Sequence, residues 1–508
     1  MKCWMLCIFL LAPLSVHAES LKLAFVFQDA MVLQRDVPLP VWGTADPDSE
    51  ITVTFAGQHS STRSDRNGNW MVKLNPATAS AQPRDLVVAS TSTITLHDVL
   101  VGEVWLAAGQ SNMEFPLSRE AHAVDEVQHA DLPDIRLMNL AYAGQYLYGK
   151  RFDATLSSRL TPDRFFSGSW AHCSPKSARP FSAIGYYFAK DLQKQIGVPV
   201  GVINMAVGGS PTEAWIHRNA MAAEASLRSL VEHNWLTTEP LDDWCKQRAR
   251  QNLGPSPDST DPTGPNHGYK PGFLWEAGVA RLIPFAIRGV LWYQGESNSL
   301  TEPRMLQHEA LFKTLVTDWR KSWNIGDFPF LYCQLSGIGT ASYKSQFWPQ
   351  FRDQQRRLLS VIPNTAMAVT SDFGNNSDVH FRDKREVAHR LYASAMSLAY
   401  GAKGEWEGPL VDSIHRNGSA LLVSFTHASG LTTTDGGTIK GFEIAGSDGH
   451  FSPADVTFSD SVARLTSSRI SSPTSARYDW QPFPDGNVIN SAHFPCSTFS
   501  IDQGSNVR

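Results

Sequence analysis

The chain has no Cys-x-x-Cys pair, and its six cysteines are scattered. Cys3 and Cys7 fall in an N-terminal leader. Cys173, Cys245, Cys333 and Cys496 remain, at spacings that argue against a structural zinc. Cys333, inside the apolar run FLYCQL, reads as a buried free thiol, and disulfide pairing is left open. Excess charge of one sign is also missing. The 44 Lys and Arg stand against 49 Asp and Glu, a net charge of -5, so nothing points to nucleic acid or an anionic membrane. Past the leader, no apolar run is long enough to span a bilayer. There is no repeat of fixed period, no His-Glu-x-x-His and no Gly-x-Ser-x-Gly. Those absences set aside solenoids, zincin-type hydrolases and the α/β-hydrolase elbow, and no motif asks for a metal or cofactor.

What is present is a folded, exported chain. With 508 residues, 42% hydrophobic and 18% charged, it has room for two or three domains around a large core. Lys2, the apolar segment Cys3 to Leu14 and Val16-His17-Ala18 have the order of a signal peptide over residues 1–18. Cleavage there would leave Glu19 first, with no Cys at the cut to carry a lipid. The expectation is a secreted or periplasmic protein without a membrane anchor. Fifteen Trp suit either core packing or a sugar-binding cleft.

Three segments differ in pattern. Residues 19–100 hold short alternating runs such as ITVTF and NWMVKL between Asp-Pro-Asp-Ser and Arg-Asn-Gly-Asn turns, which predicts a β-sandwich without chemistry. Over 101–406, apolar strands alternate with helical stretches, the mark of an α/β sheet. In SAIGYYFAKDLQKQIG, Ile184, Phe188, Leu192 and Ile196 recur every four residues, and in the last helix Val387, Leu391, Ala395 and Leu398 form the inner face. Residues 237–270, polar and rich in Pro, Gly and Asp, read as an irregular insertion near a site. Residues 407–508 return to β and either pack with 19–100 as one unit or stand alone.

Four turns in the α/β segment carry the unusual residues, each beyond an apolar strand, and parallel strands bring such ends to one edge. In GEVWLAAGQSNMEFPL, Ser111 opens the element after strand VWLAA. It is either an N-cap or a nucleophile whose own N–H, at a helix N-terminus, favours a developing anion. Val207-Gly208-Gly209-Ser210 is either a plain βα turn or a donor of N–H groups to an oxyanion. Gln294-Gly295-Glu296-Ser297-Asn298 offers amides that donate without changing charge, or a helix cap. Asp378-Val379-His380 offers a neutral imidazole base and a carboxylate to hold its tautomer. His389, mid-helix among charges, reads as part of a solvated face.

These motifs identify a resemblance. DAMVLQRDVPLPVWG, GQSNM, GVINMAVGGSPTEAW, RGVLWYQGESN and RYDWQPFP are similar to segments of the sialate O-acetylesterases, within the SGNH (GDSL-like) hydrolase superfamily, over nearly the whole mature chain. The resemblance implies a flavodoxin-like three-layer α/β domain with flanking β-sandwich segments. It also implies a serine esterase that removes O-acetyl groups from carbohydrate. Ser111 would be the nucleophile, His380 the base and Asp378 its partner. Ser111, Gly208 or Gly209, Gln294 and Asn298 would form the oxyanion hole, with no metal. A backbone group in place of Asp378 is an alternative, and Asp372 is another carboxylate. The chain departs from the family at Phe381, where Pro is usual, and at Leu274-Trp275-Glu276, where Leu-Tyr-Asn is common and which is expected to line the cleft. The implied substrate is an O-acetylated sialic acid; acetylated xylan and a non-catalytic glycan-binding role are the rivals.

Overall fold

The computed structural model describes residues 21–504 except 240 and 242, so the expected leader over 1–18 lies outside the described residues. The spine is one long strand, β1 (Thr93–Gly109). Its first half pairs antiparallel with Ser80–Ala89, and its second half lies inside a parallel sheet. That sheet is completed by β2 (Leu132–Asn139), β3 (Trp170–Cys173), β4 (Val200–Asn204), β5 (Gly289–Tyr293), β6 (Phe330–Cys333) and β7 (Thr365–Ala368), in the order β3-β2-β4-β1-β5-β6-β7. All neighbours are parallel except β3, which runs antiparallel to β2 at the edge. The pattern of the sequence does not flag β3. It is short, and Trp170 anchors it by donating from Nε1 to the carbonyl of Val26 at 3.0 Å.

Alternate side chains of the sheet feed two apolar cores, as the period-two geometry of a strand requires. Val104, Leu106, Ile203, Val290, Trp292 and Phe330 enter one core; Trp105, Ala107, Val202, Leu291 and Leu331 enter the other. The helices that matter are α1 (Ser111–Glu114), α2 (Ala183–Ile196), α3 (Asp243–Leu253), α4 (His308–Trp323), α5 (Trp348–Val361) and α6 (Arg385–Tyr400). Ile184, Phe188 and Leu192 of α2 and Val387, Leu391 and Ala395 of α6 are buried in the second core, as their spacing predicts. Leu311, Leu315 and Trp319 of α4 fill the first. Each such fully buried side chain contributes roughly 1.5–3 kcal/mol. Among the described residues no helix is long and apolar enough to cross a membrane.

The N-terminal segment packs Val41, Trp70 and Val72 of a three-stranded sheet against Ile51, Val53, Leu86 and Val88 opposite. Its strand Gln58–Arg63 escapes sequence reasoning because QHSSTR holds no apolar residue to alternate. β1 crosses residues 100 and 101 without a break, and at this seam Glu103 accepts from Gln34 Nε2 at 3.1 Å and Arg288 Nε at 2.7 Å. The C-terminal segment forms two four-stranded sheets around a separate core of Leu421, Val423, Phe442, Ile444, Leu465 and Phe499. It docks on α5, where Arg352 donates to the carbonyl of Asp479 at 3.2 Å, and its core is a cluster separate from the one that holds the N-terminal sandwich residues. The four cysteines among the described residues are buried, and none of them forms a disulfide.

Candidate active site

The ends of β1, β4, β5 and β7 lie on one edge, and the four turns follow them. At the end of β1, Gly109 has φ +124, and a Cβ there would lie 2.2 Å from the Tyr293 carbonyl oxygen. Only glycine lets β1 and β5 close to that distance. The cap of α1 is Gln110, not Ser111, so the N-cap reading of the serine does not hold. Instead Ser111 Oγ lies 2.8 Å from His380 Nε2, across 269 residues of chain. His380 Nδ1 lies 3.1 Å from Asp378 Oδ1, which also accepts the His380 backbone N–H at 2.9 Å. With the proton on Nδ1 directed at the carboxylate, Nε2 is left as the acceptor for the serine O–H. Burial holds the imidazole below its ordinary range, while Asp378 pulls it back up. The side chain of Asp378 is 55% exposed.

The rival carboxylate Asp372 is held in a two-pronged ion pair by Arg390, at 2.7 Å to each oxygen. His389 lies 3.4 Å from Asp191 on a half-exposed helix face, in keeping with its solvated reading.

The second and third turns correct the expected oxyanion hole. Gly208 N–H donates to Tyr142 OH at 3.2 Å and so is occupied. Gln294 Nε2 donates to Asn298 Oδ1 at 2.6 Å, and Gln294 Oε1 accepts from Thr212 Oγ at 2.6 Å. Asn298 Nδ2 donates to Glu213 Oε2 at 3.0 Å. Both amides are buried and committed to each other and to Thr212 and Glu213, and neither lines the cavity. The N–H groups of Ser111 and Gly209, by contrast, find no acceptor among the described residues, and both residues line the cavity. Gln110 lines it too. Its Oε1 accepts from Gln294 Nε2 and Ser297 N–H, both at 3.2 Å, and its Nε2 donates to nothing among the described residues. Sequence reasoning missed Gln110, although the residue before a strand-end nucleophile is a place to look for a donor.

The cavity is about 520 Å³ and is walled by Phe115, Tyr146, Tyr148, Trp244, Tyr269 and Tyr343. Trp244 and Arg248 come from α3, an ordered helix within the segment expected to be irregular. Leu274, Trp275 and Glu276 do not line the cavity, against expectation. Trp275 packs on His217 and Glu276 pairs with Arg218 at 2.9 Å. Arg119, Arg248 and Lys344 line it, and among the described residues the one carboxyl in the lining is Glu114. Glu114 Oε1 accepts from Gln145 at 2.9 Å, and burial pushes its carboxyl up to about 7. The one cluster of three metal-ligand types among the described residues is Glu120, His122 and Asp383. Arg385 Nη2 lies 3.3 Å from His122 there, and no cavity residue belongs to it.

A polar strand-end site of this kind on an α/β sheet has the layout of a hydrolase, and the known relatives agree. Residues 272–397 match the family model described as carbohydrate esterase, sialic acid-specific acetylesterase. A solved carbohydrate acetylesterase from Xanthomonas citri shares 30% identity with a TM-score of 0.79, covering 95% of this chain and 99% of that one. The chain is thus a carbohydrate esterase, an ester hydrolase. Sialate O-acetylesterase of mouse is 27% identical over 91% of this chain and 90% of its own, and the human enzyme 28% identical over 82% and 80%. Within the esterases, this chain belongs to the sialate O-acetylesterase family. The purely glycan-binding reading falls away.

Proposed function

We propose that the protein is an exported serine esterase that removes O-acetyl groups from carbohydrate, on a three-layer SGNH-type α/β domain flanked by β-sandwiches. One observation carries the reading: the 2.8 Å approach of Ser111 Oγ to His380 Nε2, with Asp378 behind the ring. Ser111 Oγ attacks the acetyl carbonyl as its proton passes to His380 Nε2. The oxyanion is met by the N–H groups of Ser111 and Gly209 and by Gln110 Nε2. His380 returns the proton to the departing sugar oxygen, which leaves an acetyl ester on Ser111. Water, deprotonated by the same imidazole, then releases acetate.

An O-acetylated sialic acid fits best, because Arg119, Arg248 and Lys344 give the cavity a positive lining suited to a sugar carboxylate. Acetylated xylan is the second reading, since the aromatic wall suits a neutral sugar ring equally well. Acetate release from acetylated sialic acid against acetylated xylo-oligosaccharide, by wild type and Ser111→Ala, tests both levels. Full activity in Ser111→Ala defeats the mechanism; faster turnover of the xylo-oligosaccharide defeats the sialate assignment alone.

A further inference from the structure

Beneath the nucleophile lies a charged cluster that the chemistry above does not use. Asn112, Glu296 and Lys384 are buried, at 0%, 1% and 0% exposure. Lys384 Nζ donates to Asn112 Oδ1 at 2.6 Å, and Asn112 Nδ2 donates to Glu296 Oε1 at 2.5 Å. The orientation of the amide is therefore fixed: an ammonium only donates and a carboxylate only accepts. Asn112 Nδ2 also donates to the carbonyl of Val379 at 3.1 Å. The ammonium sits over the Phe381 ring at 3.4 Å, with Phe115 and Tyr293 at 5.0 and 6.0 Å. Phe381, the departure from the family's Pro, is thus a wall of this cage.

The connectivity matters more than the burial. Asn112 follows Ser111, Val379 precedes His380, Lys384 closes the His380 turn, and Glu296 belongs to the third turn. One amide joins three turns at the two residues adjacent to the reacting pair. We infer that Asn112, clamped between Lys384 and Glu296, is a positioning residue that sets the approach of His380 to Ser111, and that the Lys384 cation tunes the basicity of His380. This inference rests on the Ser111–His380 mechanism. Two opposite buried charges bridged by one amide are a weak source of stability, but removing either strands the other. Facing Lys384 are Glu296, Asp378, Asp383 and the Cys333 thiol, and its backbone N–H meets Glu120. Burial pushes the ammonium down to about 7. His380 in turn faces Asp378, Lys384 and Arg119.

The test uses 4-nitrophenyl acetate, too small to engage the sugar cavity, with the full-length protein. In Lys384→Met, kcat falls about tenfold to a hundredfold while KM stays within about twofold. The acid limb of kcat/KM moves to higher pH, because a cation that opposed the imidazolium has gone. Lys384→Arg, which keeps the charge, returns the limb to the wild-type position. A purely structural role would lower the melting temperature without moving the limb. Asn112→Asp, equal in size, keeps the acceptor for Lys384 but loses the donor to both Val379 and Glu296; it carries the test of the positioning role should Lys384→Met fail to fold, with the same fall in kcat. Folded variants with wild-type kcat and an unmoved limb overturn the inference. If Ser111→Ala is inactive in that case, the serine mechanism stands and only the clamp is lost; if Ser111→Ala is active, both go.

Discussion

The four strand-end turns look alike in sequence, yet the first, second and fourth each present a polar group to the cavity, while the third spends its two amides in the interior. Ser111 and His380 meet at 2.8 Å at the cavity wall, while Gln294 and Asn298 bond to each other at 2.6 Å in the interior. The difference teaches that a polar residue past a buried strand is of two kinds. One keeps a free donor or acceptor for substrate. The other satisfies a neighbour whose burial would otherwise cost about 1–3 kcal/mol. Substitution should separate them: the open kind moves turnover, the closed kind moves stability.

The largest effect is expected at the open pair. Ser111→Ala and His380→Ala should each lower kcat/KM for acetyl esters by on the order of 10⁴-fold or more with little change in melting temperature. A hundredfold smaller loss in either would mean that the reacting pair lies elsewhere.

Next comes the exchange between Gln110 and Asn298. Gln110→Glu keeps the acceptor for the third turn but removes the Nε2 donor, and kcat should fall about 10²–10³-fold. Asn298→Ala strands Gln294, Thr212 and Glu213, so its main effect should be a loss of roughly 1–3 kcal/mol in stability, with turnover per folded molecule close to wild type. Kinetics normalised to the folded fraction would settle this. The reverse outcome, a catalytic loss at Asn298 and none at Gln110, breaks the comparison outright.

These outcomes bear on how far sequence carries. The alternation of strands and helices, the inner faces of α2 and α6, and the convergence of residues 111 and 380 were all legible, because buried periodicity and parallel topology leave few alternatives. The partners of Gln294 and Asn298 were not. An amide looks the same in sequence whether it faces a cavity or Thr212 and Glu213, and those partners lie more than eighty residues away. For the same reason α3 was hidden: its Pro- and Gly-rich flanks read as a loop, and its buried face is short. The strand Gln58–Arg63 lacks any apolar signal.

Asp378 tests how much an exposed member of the open set contributes. A buried carboxylate behind a catalytic histidine is worth about 10⁴ in kcat, but water can replace much of one that is over half exposed, so Asp378→Asn should cost about tenfold to a hundredfold. Its pH signature has a definite sign. The neutral imidazole is the base, so activity is lost as pH falls through the His380 pKa, which burial already holds below the ordinary value of about 6.5. Asp378 raises that pKa, so the Asn variant should move the acid limb to still lower pH. An upward move would assign the carboxylate no electrostatic role at the ring.

The smallest effect belongs to Glu114, which stands between the two kinds: it lines the cavity, yet both its oxygens are engaged, by Gln145 at 2.9 Å and Tyr142 at 3.4 Å. Burial raises its carboxyl to about 7 from an unfolded value of 4.5. The neutral form is therefore favoured by folding. Its contribution to stability is complete below about 4.5 and is lost as pH rises through about 7. In the cavity, the same ionisation sets a negative charge beside an anionic sugar. Glu114→Gln should flatten the decline in stability over that window. It should also lower KM for an acetylated sialic acid by about two- to threefold at pH 8, with no change at pH 5 and none for a neutral acetyl ester. If KM falls equally for the neutral ester, Glu114 acts on the shape of the cavity and belongs with the closed set.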